Sequence, residues 1–296
     1  MRTVYLGTSD FAAAVLERLA ASPHRPVLVM TRPDRPAGRG RRLSSPPVAD
    51  LARSLDLPLD QPDEVNEEGA RARIAAAEPD AVIVCAFGAL IREELLAAHE
   101  ILNVHPSLLP RWRGAAPIER AMMAGDAETG VGIMRLTAGL DSGPVCLMER
   151  EPIRPDDTFG TLSARLAQLG ADLLIRALDQ RPGFEEQPED GVTYAEKISA
   201  EDRLLDPRAQ SAAQLARIVR ALNPHVGARL ALPDGSYLGV WGARLAAPVP
   251  HQPGWLGNED GRLLLSTADG ALELTVVQPP GKRQMPAADY LRGQRP

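Results

Sequence analysis

The sequence predicts a chain of two parts, an α/β part built on a parallel sheet followed by a smaller all-β part. Three observations predict it. Apolar runs of strand length alternate with segments of helical period through residues 3 to 179. The pattern breaks across a polar, turn-rich stretch at 180–202. Beyond one further helix come short alternating runs divided by turn residues.

The elements follow in order. "TVYLGT" (3–8) is an apolar run closed by Gly7, and "DFAAAVLERLAAS" (10–22) has apolar residues at helical spacing with Asp10 near its start. "PVLVMT" (26–31) is a second strand. "PVADLARSL" (47–55) is a helix, since Pro47 is permitted in a first turn, and "EEGARARIAAAE" (67–78) is another. "DAVIVCAF" (80–87) is nearly continuous in apolar residues, as a strand covered on both faces must be. A short helix "REELLAAH" (92–99) leads to the strand "ILNVH" (101–105). Two more strands, "TGVGIMRL" (129–136) and "PVCLMERE" (144–151), precede a long amphipathic helix at 157–179. Strands alternating with helices imply parallel pairing through crossovers.

The stretch "QRPGFEEQPEDGVTYAEKISAED" (180–202) is a linker candidate, and "SAAQLARIVRAL" (211–222) a helix. The runs at 228–233, 237–245, 261–267 and 271–278 are then expected strands. The turn signals "PDGS", "GNEDG" and "ADG" divide them, which is the signature of a small β-barrel or sandwich.

The bulk numbers bound the function. The 296 residues are 44% hydrophobic and 24% charged, normal for a soluble globular protein. The apolar runs fall far short of a membrane span, and Asp10, Glu17 and Arg18 interrupt the N-terminus where a signal peptide is apolar. Two cysteines, Cys85 and Cys146, without metal-like spacing suit a reducing cytoplasm. The net charge is −6, but residues 204–296 carry ten Lys+Arg against seven Asp+Glu. In the acidic remainder, "RPDRPAGRGRR" (32–42) holds five arginines and one aspartate, enough for an anion-binding patch.

The stretch "NVHPSLLPRWRGAAP" (103–117) raises the question of chemistry. Side chains two apart on a strand share a face, so Asn103 and His105 stand together at the carboxyl end of a predicted parallel strand. Open α/β sheets bind ligands at that edge. An Asn amide can donate to a developing oxyanion, and a His can donate or move a proton near neutral pH. Pro106 and Pro110 stiffen the loop that follows. In "TAGLDSGPV" (137–145), Asp141 lies in a turn between two expected strands. It could reach back to His105, hold the imidazole and favour its charged form.

Ordinary structural roles remain open for each feature. A strand-end His is usually capped, an Asp between glycines usually forms a turn, Cys85 packs the core, and an arginine run can be solvated loop. On the residues alone the reading stops at an α/β enzyme with a polar site at 103, 105 and 141, plus a β-rich appendage.

The stretch "NVHPSLLPRWRGAAPIERAMMAGDAETGVGIMRL" followed by "GLDSGPV" resembles the folate-dependent formyltransferases. More narrowly, "LGTSDFAAAVLERL", "RPDRPAGRGRRLSSPPV", "TYAEKI", "RALNPHVGARL" and "QPPGKRQMPAADYLRG" resemble, in order, the branch acting on methionyl-tRNA, over nearly the whole chain. The resemblance implies a Rossmann-like formyltransferase domain at 1–182, a linker at 183–203, and an OB-like β-barrel that binds tRNA at 204–296. It implies that Asn103, His105 and Asp141 are catalytic. It implies 10-formyltetrahydrofolate as donor, contacted by Ser107, Leu108, Leu109 and Pro110 and by the segment with Phe87, Gly88 and Leu90; no metal is expected, because the five histidines are scattered and show neither H-E-x-x-H nor paired Cys/His spacing. It implies methionyl initiator tRNA as acceptor, held by Arg39, Arg41, Arg42, Lys282 and Arg283, and neither DNA nor membrane as partner. The chain departs from the family's usual pattern at Phe87, where tyrosine is common, and at Ser142, where threonine is.

Rival readings are a small-molecule formyltransferase acting on glycinamide ribonucleotide or an amino-sugar nucleotide, a formyl-folate hydrolase, and a non-catalytic RNA-binding protein. The arginine loop and the β-rich second part distinguish the tRNA reading from the first. A Rossmann dehydrogenase is disfavoured because G-x-G-x-x-G is missing.

Overall fold

Five buried residues, Thr3–Gly7, form the centre of a seven-stranded sheet in the computed structural model, which describes residues 1–37 and 42–293. The order across the sheet is Val145–Pro152, Glu128–Arg135, Ile101–His105, Ala81–Cys85, Thr3–Gly7, Pro26–Met30, Leu59–Asp60. The five strands from Ile101–His105 to Leu59–Asp60 are parallel. The chain builds outward from Thr3–Gly7 to one side and returns on the other. The carboxyl ends of Thr3–Gly7 and Ala81–Cys85 therefore flank a switch point, where such sheets open a crevice.

The sheet is not parallel throughout, because Glu128–Arg135 runs antiparallel to Ile101–His105. A parallel neighbour needs a crossover that returns the chain to the starting end of the strand. Between these two lie the proline-bearing loop and one eight-residue helix, Pro117–Ala124, and the chain re-enters from the far end. Val145–Pro152 is one of the two edge strands. Its consecutive Glu149, Arg150 and Glu151 discourage pairing with another chain.

The helix Asp10–Ala20 is capped by Ser9, whose hydroxyl accepts from the Ala12 N–H at 3.3 Å. Asp10, near its start as expected, contributes negative charge to the first turn. This helix lies so close to the strand end that a Cβ on Gly7 would stand 2.7 Å from Tyr5 Cε1 and 2.9 Å from Ala12 Cβ. The sheet and its helices belong to one compact unit, residues 1–114, 129–152 and 163–194.

The second unit comprises residues 115–128, 153–162 and 195–296. Its first helix, Pro117–Ala124, has no expected counterpart in the reading of the sequence. It packs on Ala212–Ala221, and Arg120 grips Asp202 with two hydrogen bonds of 2.7 and 2.8 Å. That pairing holds the Asp202 carboxyl below its usual range. Ala212–Ala221 opens with a capping box from Ser211 and Gln214. Its apolar face, with Leu215 and Val219, meets Leu230, Leu238, Val240, Leu265, Leu272 and Leu274.

The strands of this unit form a path: Leu204–Leu205, Ala228–Ala231, Tyr237–Ala246, Ala271–Gln278, Arg262–Ser266, Leu256–Glu259. The path has two ends, so the expected barrel is a curled half-barrel. One strand was hidden in a turn signal. Of "GNEDG", Gly257 to Glu259 pair with Arg262 to Leu264, leaving only Asp260 and Gly261 to turn, both at positive φ (51° and 79°). That is the backbone a two-residue hairpin needs. Among the described residues no helix is long and apolar enough to cross a membrane, and no group of three or more His, Cys, Asp or Glu could hold a metal.

Close packing at Gly7 sets a prediction. Gly7→Ala overpacks the strand–helix contact and costs about 1–3 kcal/mol. Gly183→Ala, with nothing within 4 Å of the added carbon, stays within about 0.5 kcal/mol. Urea unfolding midpoints at unchanged m-value check both.

Candidate active site

The strand Ile101–His105 buries all five residues, and two of them are polar. Asn103 is 8% exposed and His105 3%. Buried polar groups need partners, and the segments after the strand supply them. His105 Nε2 lies 2.9 Å from the Trp112 carbonyl oxygen. A carbonyl only accepts, so Nε2 carries the hydrogen. Nδ1 then faces Asp141, with Oδ2 at 3.7 Å. The Asn103 amide donates to Asp141 Oδ1 at 3.5 Å. The short contact of the carboxylate is the Gly114 N–H, which donates to Oδ2 at 2.8 Å. Asn103, His105 and Asp141 are thus brought together at the carboxyl end of the strand. The approaches to Asn103 and His105 are long and mainly electrostatic.

Asp141 takes a left-handed φ of 43°, a conformation that costs a non-glycine residue free energy and must be held by its surroundings. The loop is pressed close to the neighbouring strand, since a Cβ on Gly143 would run into the Arg135 carbonyl oxygen. Gln187 adds the polar grip. Its amide donates to the carbonyls of Asp141 (2.9 Å) and Gly143 (2.7 Å). Its Oε1 accepts from Arg113 Nε at 2.9 Å and Nη2 at 2.7 Å. The stretch around it is stitched to the same unit. Glu185 and Val145 exchange backbone hydrogen bonds, Arg113 N–H donates to the Thr193 carbonyl, and Trp112 N–H to the Thr193 hydroxyl. Gln187, Arg113 and Thr193 were not singled out from the sequence. A glutamine inside a polar, turn-rich run carries no periodicity or motif that marks it.

The other expected contacts fall on two loops of this unit. Ser107 is fully buried and donates to the Arg111 carbonyl at 2.7 Å, closing the turn through Leu108, Leu109 and Pro110. Leu109 is buried. Phe87 is buried, and its carbonyl accepts from the Thr8 hydroxyl at 2.7 Å. Gly88 has open space where a side chain would be, and Leu90 is 75% exposed. Asn66, also missed, clamps this loop with both ends of its amide: it donates to the Leu90 carbonyl at 2.8 Å and accepts from the Arg92 N–H at 2.9 Å. Cys85, at the end of the neighbouring strand, is no nucleophile, since burial pushes its thiol up to about 12.

Of the arginine loop, Arg39 and Arg41 lie outside the described residues. Arg42 begins the strand Arg42–Ser44, antiparallel to Arg35–Ala37. Asp34, the single acid of that stretch, is used internally. It accepts from Gln61 at 2.8 Å and Ser45 at 3.0 Å, and the Gln61 bond leads in holding its carboxyl low. In the second unit Lys282 and Arg283 are exposed on a turn closed by the Lys282 N–H to the Pro279 carbonyl.

Chemically, the cluster offers an amide donor and an imidazole whose Nδ1 faces a carboxylate. It suits polarising a carbonyl and moving a proton rather than attacking a substrate covalently. Comparison with known proteins agrees with that chemistry. A family model described as formyl transferase matches residues 1–178, and its companion for the formyl transferase C-terminal domain matches 197–295. The methionyl-tRNA formyltransferase of Halorhodospira halophila is 45% identical over 302 residues, covering 99% of this chain and 96% of that protein. Among solved structures, HypX from Aquifex aeolicus in complex with tetrahydrofolic acid superposes with a TM-score of 0.69 at 19% identity. The match covers 98% of this chain and 47% of HypX. Methionyl-tRNA formyltransferase from Clostridium thermocellum gives 0.62 at 12% identity, covering 93% and 98% of the two chains. At such identities the two structures speak for the fold alone. The family models and the near full-length identity place the chain in the formyl transferase family.

Proposed function

We propose that this chain transfers the formyl group of 10-formyltetrahydrofolate to the α-amine of methionyl initiator tRNA, giving formylmethionyl-tRNA for translation initiation. The observation that carries it is the 45% identity to a methionyl-tRNA formyltransferase across 99% of the chain, through both matched domains. The bound donor supplies the formyl group. In the transfer the bond from the formyl carbon to N10 breaks, a bond to the methionine nitrogen forms, and the amine proton passes to N10.

The residues divide that work. Among the described residues the Asn103 amide donates to Asp141 over a long 3.5 Å, and its two hydrogens leave donor capacity for the formyl oxygen. His105 holds its Nε2 hydrogen on the Trp112 carbonyl and presents Nδ1 as the proton-exchanging atom. Asp141 stabilises the charged imidazole that forms. A folate suits this unit on two features. Gly88 leaves its backbone open to approach by a flat ring, and Leu90 exposes apolar surface beside it. Ser107, Leu108, Leu109 and Pro110 form the second donor-binding loop, closed by the Ser107 hydroxyl on the Arg111 carbonyl, and Phe87 anchors the first from within the core. On this reading residues 1–182 carry the catalytic residues and 204–296 serve as the tRNA-binding domain, while of the connection 183–203 the part up to Tyr194 packs as part of the catalytic unit. Arg39, Arg41, Arg42, Lys282 and Arg283 supply phosphate contacts, which position a nucleic acid without reading it. The enzyme acts in the cytoplasm, where charged tRNA and folate are found.

The test is an acceptor competition. Purified protein with 10-formyltetrahydrofolate is given methionyl initiator tRNA, glycinamide ribonucleotide, or water alone. Formylation of the tRNA only is expected, and formylation of the ribonucleotide or release of free formate alone contradicts the reading.

Two predictions follow from the assigned roles. Asn103→Ala and His105→Ala each lower kcat by about 10² or more, since both act on developing charge, while circular dichroism stays native. Replacing Arg39, Arg41 and Arg42 together with alanine weakens use of methionyl-tRNA and flattens its dependence on salt, because fewer counterions are released. Donor binding, followed by folate fluorescence quenching, stays unchanged. A wild-type salt slope in the triple variant contradicts the role of the loop.

A further inference from the structure

We propose that Gln187, held by Arg113, is a positioning residue for Asp141 in the transfer step. The inference rests on the catalytic reading of Asp141 given above. It starts from the hydrogen-bond inventory of one amide. The Gln187 nitrogen has two hydrogens, and its two acceptors are the carbonyls of Asp141 and Gly143, at 2.9 and 2.7 Å on either side of Ser142. Its oxygen takes two hydrogens from the Arg113 guanidinium, at 2.9 and 2.7 Å. The guanidinium, which can only donate, fixes which end of the amide is oxygen. With both hydrogens and the oxygen committed, Gln187 has nothing left for a substrate. It acts through the loop it holds.

The contacts close a ring. Arg113 precedes Gly114, whose N–H donates to Asp141 Oδ2 at 2.8 Å. Asp141 is therefore gripped at both its carbonyl and its carboxylate, by partners tied to one another. The ring matters because Asp141 sits at φ 43°, where the chain does not rest unaided. Opening it at Gln187 leaves two carbonyls and a guanidinium without these partners and lets the loop relax. The carboxylate then drifts from Nδ1 of His105, now 3.7 Å away. A displacement near 1 Å lowers rates by about 10- to 100-fold, with no loss of substrate affinity.

The experiment compares Gln187→Glu, Gln187→Met, Asp141→Asn and the double variant Asp141→Asn with Gln187→Met, on methionyl-tRNA and 10-formyltetrahydrofolate. Gln187→Glu keeps the shape and the Arg113 pairing but has no N–H for the carbonyls. Gln187→Met keeps the length without polar atoms, so it serves if the glutamate variant misfolds. Expected is a fall in kcat of about 10- to 100-fold for both single Gln187 variants, KM for both substrates within about twofold, and no further fall when Gln187→Met is added to Asp141→Asn. Wild-type kcat in a folded Gln187 variant while Asp141→Asn is slow overturns the proposal and leaves the role of Asp141 standing. Losses that multiply in the double variant, or a rise in KM that accounts for the loss, also overturn it. Wild-type kcat in Asp141→Asn overturns the reading of Asp141 itself.

Discussion

Three consecutive residues hold the site in place. The Trp112 carbonyl fixes the His105 ring, the Arg113 guanidinium fixes Gln187, and the Gly114 N–H fixes the Asp141 carboxylate. Each bond contributes only about 1 kcal/mol net, but a buried group left without its partner costs about 1–3 kcal/mol. The geometry is therefore enforced more by the penalty of opening a contact than by the gain from making it. Backbone atoms supply two of the three anchors, so apart from the Arg113 guanidinium what the site requires of this strap is its path. Trp112 at φ 64° and Gly114 at φ 124° show how far that path departs from a regular element.

The strap works because the groups it holds stand on rigid supports. Asn103 and His105 are the third and fifth residues of a fully buried strand, with Ala81–Cys85 on one side and Glu128–Arg135 on the other. A strand packed on both sides cannot yield when charge develops at its end, which is what preorganised stabilisation requires. The strand Glu128–Arg135 ends beside Leu102, near the start of Ile101–His105, and the loop beyond it folds back to bring the Asp141 carboxylate to Asn103 and His105.

The fold was legible wherever period decided it. The continuous apolar run at 80–87 and the helical spacing at 10–22 and 211–222 each became the expected element. Local signals failed where partners decided. "GNEDG" holds four residues typical of turns, yet three of its five residues are in a strand, because Arg262–Ser266 offers them a partner and two residues suffice for the hairpin. Asn103 and His105 stood out because polar side chains ending an apolar strand are costly to bury. Gln187 and Asn66 did not, because an amide in a polar loop looks the same whether it meets water or a backbone carbonyl. Its meaning lies in contacts 46 and 24 residues away along the chain, and no local pattern carries that distance.

The central claim is that the strap fixes His105 with hydrogen on Nε2 and Nδ1 turned to Asp141. Long-range 1H–15N correlation spectra of histidine-labelled protein read this directly, with the His105 ring assigned by its loss in His105→Gln. The claim predicts that the neutral ring of His105 shows a protonated Nε2 and an unprotonated Nδ1, and that added protons appear on Nδ1. A neutral ring with hydrogen on Nδ1 would contradict it, because Nε2 could not then donate to the Trp112 carbonyl.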